Sequence, residues 1–479
     1  MLDLVIQGGQ VVTPHGVGEL DIGIQGEKIV AVGWPGTLVA DAGRLIDAHG
    51  KIVIPGGIEP HAHIGIPVPP DWTGQAEVMT QPPEAASRAA AFGGVTTIID
   101  FAGDLSRKAL SGLSRRPMLE TLERRREVFR THCYTDFAFH YIIAGEVRPE
   151  TVGEIREALE EGVGSFKIFT VNHPVRVPWG HLWSVFAEVA KHGGIMAVHA
   201  EDDEIVQYMT AKLKREGQNQ GSNLHLVHNN LSEDLAFRNV IRLAQHTGVG
   251  VYFVHVTAKE GVAAIEEARS EGQAVYGEAL HNYLQFTCED YQKPGGTAIH
   301  TYPAIKFAED RAALIAGMLD GRLATTATDE YTTYKGPKLW GDTIETVCGG
   351  HNGIETRLPV AFTKLVVERN MSLSRFVDVT SANAAKILGL YPQKGAIQPG
   401  SDADLCLIDP ALKKTITLSD LHADSDYSIW EGFACQGYPV MTILRGKVIV
   451  DHGKLVGSSS DGRWLKRQVA NDILARPMV

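Results

Sequence analysis

From about residue 56 to residue 390, short apolar runs alternate with helical stretches, and this alternation constrains the fold more than any other feature of the chain. The runs VTTIIDFAG, VGSFKIFT, GIMAVHAE, VGVYFVHVTA, QAVYGEAL and LATTATDE are almost continuously apolar or β-branched. Between them lie TVGEIREALEEG, LWSVFAEVAKHG, SEDLAFRNVIRLAQHTG and DRAALIAGMLDG, whose apolar residues recur at helical spacing. A strand that is apolar on both faces must be covered on both, which a parallel sheet flanked by helices achieves. Six or more such units favour an α/β fold of the (β/α)8 TIM-like barrel type over an open doubly wound sheet.

The two ends of the chain read differently. The first 55 residues alternate short apolar runs with glycine turns (LDLVIQGGQVV, ELDIGIQGEKIVAVG), the pattern of short antiparallel strands. DADLCLID and VMTILRGKVIVDHGKLVG repeat that pattern near the other end. Strands at both termini are expected to pair into one small β-sandwich domain. The expected division is therefore residues 1–55 plus 391–457 for the β domain, 56–390 for the barrel, and 458–479 for a peripheral tail with a short helix.

Composition removes several classes of function. A net charge of −12 argues against nucleic acid as a partner, because a phosphate-binding surface shows as an excess of Lys and Arg. The one dense basic run, Arg124 to Arg126, is interleaved with Glu and reads as a solvated helix face. Five scattered cysteines without a CxxC pair imply a reducing compartment and no disulfide framework. With no basic-then-apolar leader and no apolar run of about 18 residues, the expectation is a cytoplasmic protein that does not enter a membrane.

In a β/α barrel the reactive side chains stand at the carboxyl ends of the strands. IVIPGGIEPHAHIG ends with His61 and His63, whose two-residue spacing puts both imidazoles on one face of an extended chain. Alone, that pair is weak evidence, since surface histidines also fall at this spacing. His199 in GIMAVHAED and His255 in VYFVHVTA end two further apolar runs, however, and Asp329 ends LATTATDE. Lys167 lies inside the apolar run VGSFKIFT. A lysine there either snorkels to the surface or loses its proton, and a neutral amine can react with CO2 to give an anionic carbamate.

The order HxH, Lys, His, His, Asp, carried by PGGIEPHAHIG, GVGSFKIF, MAVHAED, YFVHVTA and TATDEY, resembles the binuclear metal-dependent amidohydrolase superfamily, and within it the hydantoinase and dihydropyrimidinase family. FGGVTTIIDFA, VYGEALHNYL, GIETRLPV and TSANAAKILGLYPQKGAIQPGSDADLCLIDP are similar to that family too, so the resemblance covers nearly the whole chain. It implies two divalent metal ions, usually zinc, with manganese, cobalt and iron also suited to these ligands. It further implies that His61, His63 and Asp329 hold one ion, His199 and His255 the other, and carboxylated Lys167 bridges them. Asp329 is then the acid/base residue for attack of water on a cyclic amide or imide, a small-molecule substrate. By the same resemblance the chain is expected to form a homo-oligomer, a tetramer. Some relatives are non-catalytic scaffold proteins, but all six metal positions here carry competent residues.

The substrate-side positions depart from the family. Where it usually has a tyrosine five residues after the bridging lysine, this chain has Asn172. Tyr302 stands at a serine position, Gly349 at an asparagine position, and Glu330 where a histidine commonly follows the catalytic aspartate. The amide of Asn172, His173 or Tyr302 are the available replacements for the missing phenol. Trp72 and Trp179 offer an apolar lid, and Arg176 offers either a contact for a substrate carboxylate or a surface ion pair. The expectation is altered specificity towards an unusual cyclic amide or imide, with allantoin, dihydroorotate and open-chain amides or carbamates as alternatives.

Overall fold

The computed structural model describes residues 1–479. Its first five strands, β1 (Leu4–Thr13), β2 (Gly16–Gln25), β3 (Lys28–Gly33), β4 (Leu45–Asp47) and β5 (Ile52–Pro55), belong to one mixed sheet. The chain then crosses into a second sheet through Gly56, where a Cβ would lie 2.1 Å from Thr96 Oγ1; only glycine lets the two segments approach so closely.

Eight strands follow in sequential parallel order: β6 (Gly57–Ala62), β7 (Val95–Ala102), β8 (Asp136–Ile142), β9 (Ser165–Phe169), β10 (Ile195–His199), β11 (Gly250–Phe253), β12 (Val275–Leu280) and β13 (Thr325–Ala327). The ring closes just beyond β13. There the Glu330 N–H donates to the His61 carbonyl at 3.2 Å and the His63 N–H donates to the Glu330 carbonyl at 2.7 Å. The TIM-like barrel expected from the strand and helix alternation is thus present, with its last seam at the mouth.

Outward-facing strand residues pack under the helices, as Phe253 does against Phe237 of helix Asn230–Thr247, with stacked rings 3.9 Å apart. Asn229 caps that helix, accepting from the Ser232 N–H, and Gly248 ends it in the left-handed region. Each such buried Phe or Leu contributes roughly 1.5–3 kcal/mol.

The chain returns to the first sheet as β14 (Leu405–Thr415), β15 (Ala434–Leu444), β16 (Lys447–Asp451) and β17 (Lys454–Leu455). β14 pairs with β5, so strands from the two ends of the chain form one continuous sheet. That sheet wraps a separate core that includes Ile6, Ile22, Val53, Leu405 and Ile443.

Residues 458–479 do carry a short helix, Asn471–Ala475, but they are less peripheral than the sequence implied. Leu465, Val469 and Ile473 join the barrel residues Ala138, Ala197, Tyr252 and Tyr276 in one buried cluster. The Tyr276 hydroxyl donates to the Ile473 carbonyl at 2.7 Å, and buried Arg467 donates to the Leu388 carbonyl and to Ser165 Oγ. The tail therefore seals the end of the barrel opposite the mouth, a role hidden by its modest hydrophobicity. No helix is long and apolar enough to cross a membrane.

The two sheets are also tied by charge. Lys394 is buried among Asp136 of β8 (2.6 Å), Asp404 (2.7 Å) and Asp402 (3.1 Å), with Arg445 on the far oxygen of Asp136. Removing the ammonium leaves carboxylates facing one another out of water. Lys394→Met is expected to destabilise the protein by about 3–5 kcal/mol, read as a fall in thermal midpoint; an unchanged midpoint would show that the cluster is dispensable.

Candidate active site

At the mouth, β6 delivers His61, His63 follows directly after its last residue, and Asp329 lies two residues beyond β13. His61 Nε2 lies 3.1 Å and His63 Nε2 3.3 Å from Asp329 Oδ1. Their candidate ligand atoms all lie within 4.8 Å of one another. His61 Nε2 is buried and too poorly aligned with Asp329 for a hydrogen bond, so its lone pair has no partner in the protein. An orphaned imidazole nitrogen beside a buried carboxylate fits a cation. Burial opposes the imidazolium of His61, yet the carboxylates of Asp329 and Glu278 outweigh it and push the group up to about 9, so a cation bound there would displace a proton from Nε2.

His255 and His199 continue the cluster. The His61 and His255 ring centroids are 5.3 Å apart, and those of His255 and His199 4.5 Å. Lys167 on β9 is buried, with Nζ 5.5 Å from the ring of Phe101 and 5.0 Å from that of Phe169. Phe101 stacks on His63, and Phe169 packs against His199. The amine therefore stands between the two halves of the histidine cluster, with no carboxylate paired to it. Burial lowers its pKa to about 8, against the pull of Asp329 and Glu278. All six residues expected to bind metal thus line one mouth.

Three of the sequence-derived site residues hold left-handed backbone: His255 (φ 42°), Asp329 (φ 51°) and Asn172 (φ 69°). For residues with a Cβ this conformation costs of order 1–3 kcal/mol each and persists only where neighbours impose it.

The residues that aim the cluster escaped the sequence reading. Glu278 of β12 accepts from His61 Nδ1 (2.9 Å), the His255 N–H (3.0 Å) and the Tyr252 hydroxyl (2.6 Å). Because a carboxylate only accepts, this bond places the His61 proton on Nδ1 and leaves Nε2 free as a ligand. Glu201 does the same for His199, accepting from its Nε2 and from His228 Nδ1, both at 2.9 Å. Burial alone would raise the Glu201 pKa, but the two imidazoles hold it well below the usual carboxylate range. Beneath them Glu59 pairs with Arg357 at 3.1 Å, both fully buried, and Arg357 also bonds the carbonyls of Ile58 and Thr326 across the seam. The signal was a lone Glu in each of three apolar runs: GIEPHAH, HAED and VYGEAL.

The basic run is a partial correction. Arg124 is solvated and pairs with Glu120. Arg125 instead turns inward, bonding Asp100 at 2.7 Å and the Ile64 carbonyl, and so fixes the chain just after His63.

On the substrate side, Asn172 and His173 are exposed, and the Asn172 N–H donates to Asp203 Oδ1. Arg176 pairs with the same Asp203 at 3.1 Å, so the ion-pair reading holds for it rather than a free contact for a substrate carboxylate. Trp179 begins helix Trp179–Lys191 and is exposed. Trp72 stacks on Tyr302 with centroids 5.1 Å apart, and the Tyr302 hydroxyl donates to the Val347 carbonyl. Gly349 forms the seat of this ring: a Cβ there would lie 2.5 Å from Tyr302 Cδ2. Lys338 fastens both loops by donating to the carbonyls of His300, Cys348 and Gly350. Glu330 is structural, accepting from Gln81 Nε2 (2.7 Å) and from the N–H groups of Gly353 (2.7 Å) and Ile354 (2.8 Å).

Comparison with known proteins gives a consistent result. The Amidohydrolase family model matches residues 52–449. A D-hydantoinase of Ralstonia pickettii is 31% identical over 98% of this chain and 99% of its own. One of Streptomyces coelicolor is 32% identical over 97% of each. Among solved structures, a dihydropyrimidinase from Brevibacillus agri superposes with a TM-score of 0.90 at 29% identity, covering 98% of this chain and all of the other.

Proposed function

The chain belongs to the amidohydrolase family, in its hydantoinase and dihydropyrimidinase branch, and from that premise we propose that it hydrolyses the C–N bond of a small cyclic amide or imide. The observation that carries this reading is the mutual approach of His61, His63 and Asp329 to within 4.8 Å, with His199 and His255 continuing the cluster. His61, His63 and Asp329 would hold one divalent ion, and His199 and His255 a second. The ions are zinc by resemblance, with manganese, cobalt or iron compatible. Lys167 would supply the shared anionic ligand: its neutral amine, adding to CO2 and losing a proton, would become a carbamate. Its place between Phe101 and Phe169, with no carboxylate in ion-pair contact, supports that assignment.

Two dications held there would supply a water of lowered pKa and polarise the substrate carbonyl. The chain's own groups do the rest. Asp329 accepts the proton of the attacking water and returns it to the departing nitrogen. Glu278 and Glu201 keep His61 and His199 in the tautomers that leave a nitrogen free, and the Glu59–Arg357 pair holds β6 and β13 in register below. Five buried, unpaired cysteines support a reducing compartment such as the cytoplasm. A homotetramer is part of the proposal by resemblance.

One flank of the pocket supports altered specificity. Tyr302 has its hydroxyl engaged and Gly349 has no side chain, so neither offers the polar side-chain contact the family has there. Gly349→Ala should drive a methyl into the Tyr302 ring and displace it from Trp72. The expected result is a rise in KM of roughly 10-fold with kcat and metal content little changed, relieved when Tyr302→Ser is added. Unchanged kinetics would detach this ring from substrate binding.

The whole reading is tested by metal quantification coupled to hydrolysis of hydantoin, dihydrouracil, allantoin, dihydroorotate, succinimide and phthalimide. Bound metal with turnover of at least one is expected. A metal-loaded protein inert towards all six, or a native protein that holds no metal, would overturn it.

A further inference from the structure

Attack of water on an amide moves the carbonyl electron pair onto oxygen, and that charge is best met by a donor fixed in place beforehand. Four neutral or cationic donors near the mouth are ill suited. Asn172 sits on an exposed loop, the Tyr302 hydroxyl is given to Val347, and Lys338 is spent on three carbonyls. The indole of Trp72 lies beyond Tyr331 from the cluster, at 6.5 Å from that ring.

Tyr331 itself is different. Its ring meets His63 edge-on with centroids 5.8 Å apart, and its hydroxyl has no hydrogen-bond partner in the protein yet is not fully buried, whereas the Tyr427 hydroxyl is both unbonded and fully buried. The residue is also rigidly seated. Its N–H donates to the His351 carbonyl, and the preceding Glu330 is held by Gln81, Gly353 and Ile354. Below the ring, Gly350 (φ 79°) leaves room that a Cβ would fill at 2.2 Å from Tyr331 Cβ, and Lys338 grips the Gly350 carbonyl. A residue whose backbone is held on both sides, with its ring against a metal-site histidine and its hydroxyl unclaimed by the protein, is preorganised in the sense that catalysis needs.

We propose that Tyr331 is a catalytic residue, its hydroxyl donating a hydrogen bond to the substrate carbonyl oxygen as water adds. This rests on the hydrolase reading above. The water oxygen bonds to the carbonyl carbon, the C=O pair moves onto oxygen, and collapse expels the nitrogen, which leaves with a proton. Tyr331 shares its own proton throughout and keeps it.

The test is Tyr331→Phe in the metal-loaded enzyme, assayed on whichever cyclic amide the wild type hydrolyses. Because the hydroxyl has no protein partner, the thermal midpoint and metal content should not move. A fall in kcat of about 100-fold with KM within threefold is expected. Retained kcat would overturn the proposal, and so would a loss accompanied by lost metal or a lowered midpoint, which would make the hydroxyl structural. His228 carries a second unbonded nitrogen, against the far side of Tyr302; activity lost in His228→Asn but kept in Tyr331→Phe would move the role there. Wild-type inertness across the panel is a separate outcome, and it removes the hydrolase reading together with this one.

Discussion

Asp329→Asn is expected to fold, melt close to the wild type and lose about 1,000-fold or more of its turnover. The substitution keeps the shape of the side chain and leaves the Glu330 backbone that closes the barrel untouched. It removes two properties at once. The amide has no negative charge to answer His61 and His63, which lie 3.1 and 3.3 Å from Asp329 Oδ1, and it cannot accept a proton from water. Burial alone would raise the Asp329 pKa, but the two imidazoles hold it well below the usual carboxylate range, so the group is anionic near neutral pH. Steady-state rates on a hydrolysed amide, with circular dichroism and metal content on the same sample, decide the matter. Activity within tenfold of wild type would take the acid/base role from Asp329.

Lys167→Ala should be inactive for a different reason. The alanine removes the only amine between Phe101 and Phe169 and leaves a buried gap where the carbamate would stand. A short carboxylic acid has the same pair of oxygens on one carbon and can enter that gap. Acetate or propionate is therefore expected to restore part of the turnover in a saturable manner, and to leave the wild type unaffected. Intact-mass measurement under gentle conditions gives an independent check on the active wild type. An unmodified lysine there, or no rescue by any short acid, would count against the bridge.

Much of this site was legible because a polar residue ending an apolar run is conspicuous. His61, His63, His199, His255 and Asp329 were found that way, and Lys167 stood out because a charge inside VGSFKIFT has no cheap explanation. The barrel was legible from the same runs. The supporting carboxylates were not, since Glu59, Glu201 and Glu278 show their purpose only once distant strands bring Arg357, His228 and His61 to them. Tyr331 was passed over for a similar reason: its place in TDEYTTY says nothing of the space under its ring, which Gly350 provides from a separate loop. Nor do the inward turn of Arg125 and the packing of Arg126 on Trp464 follow from a run of three arginines interleaved with Glu.

The seam between the first and last barrel strands has a consequence for how the protein comes into being. Thr328 and Glu59, joined by a hydrogen bond at the base of the mouth, are 269 positions apart along the chain. A nascent fragment that stops before the eighth strand lacks Asp329, so the group formed by His61, His63 and Asp329 is complete only once the ring has shut. An ion held by these three residues would clasp the two edges that chain entropy otherwise pulls apart, and its binding would add to the stability of the closed ring.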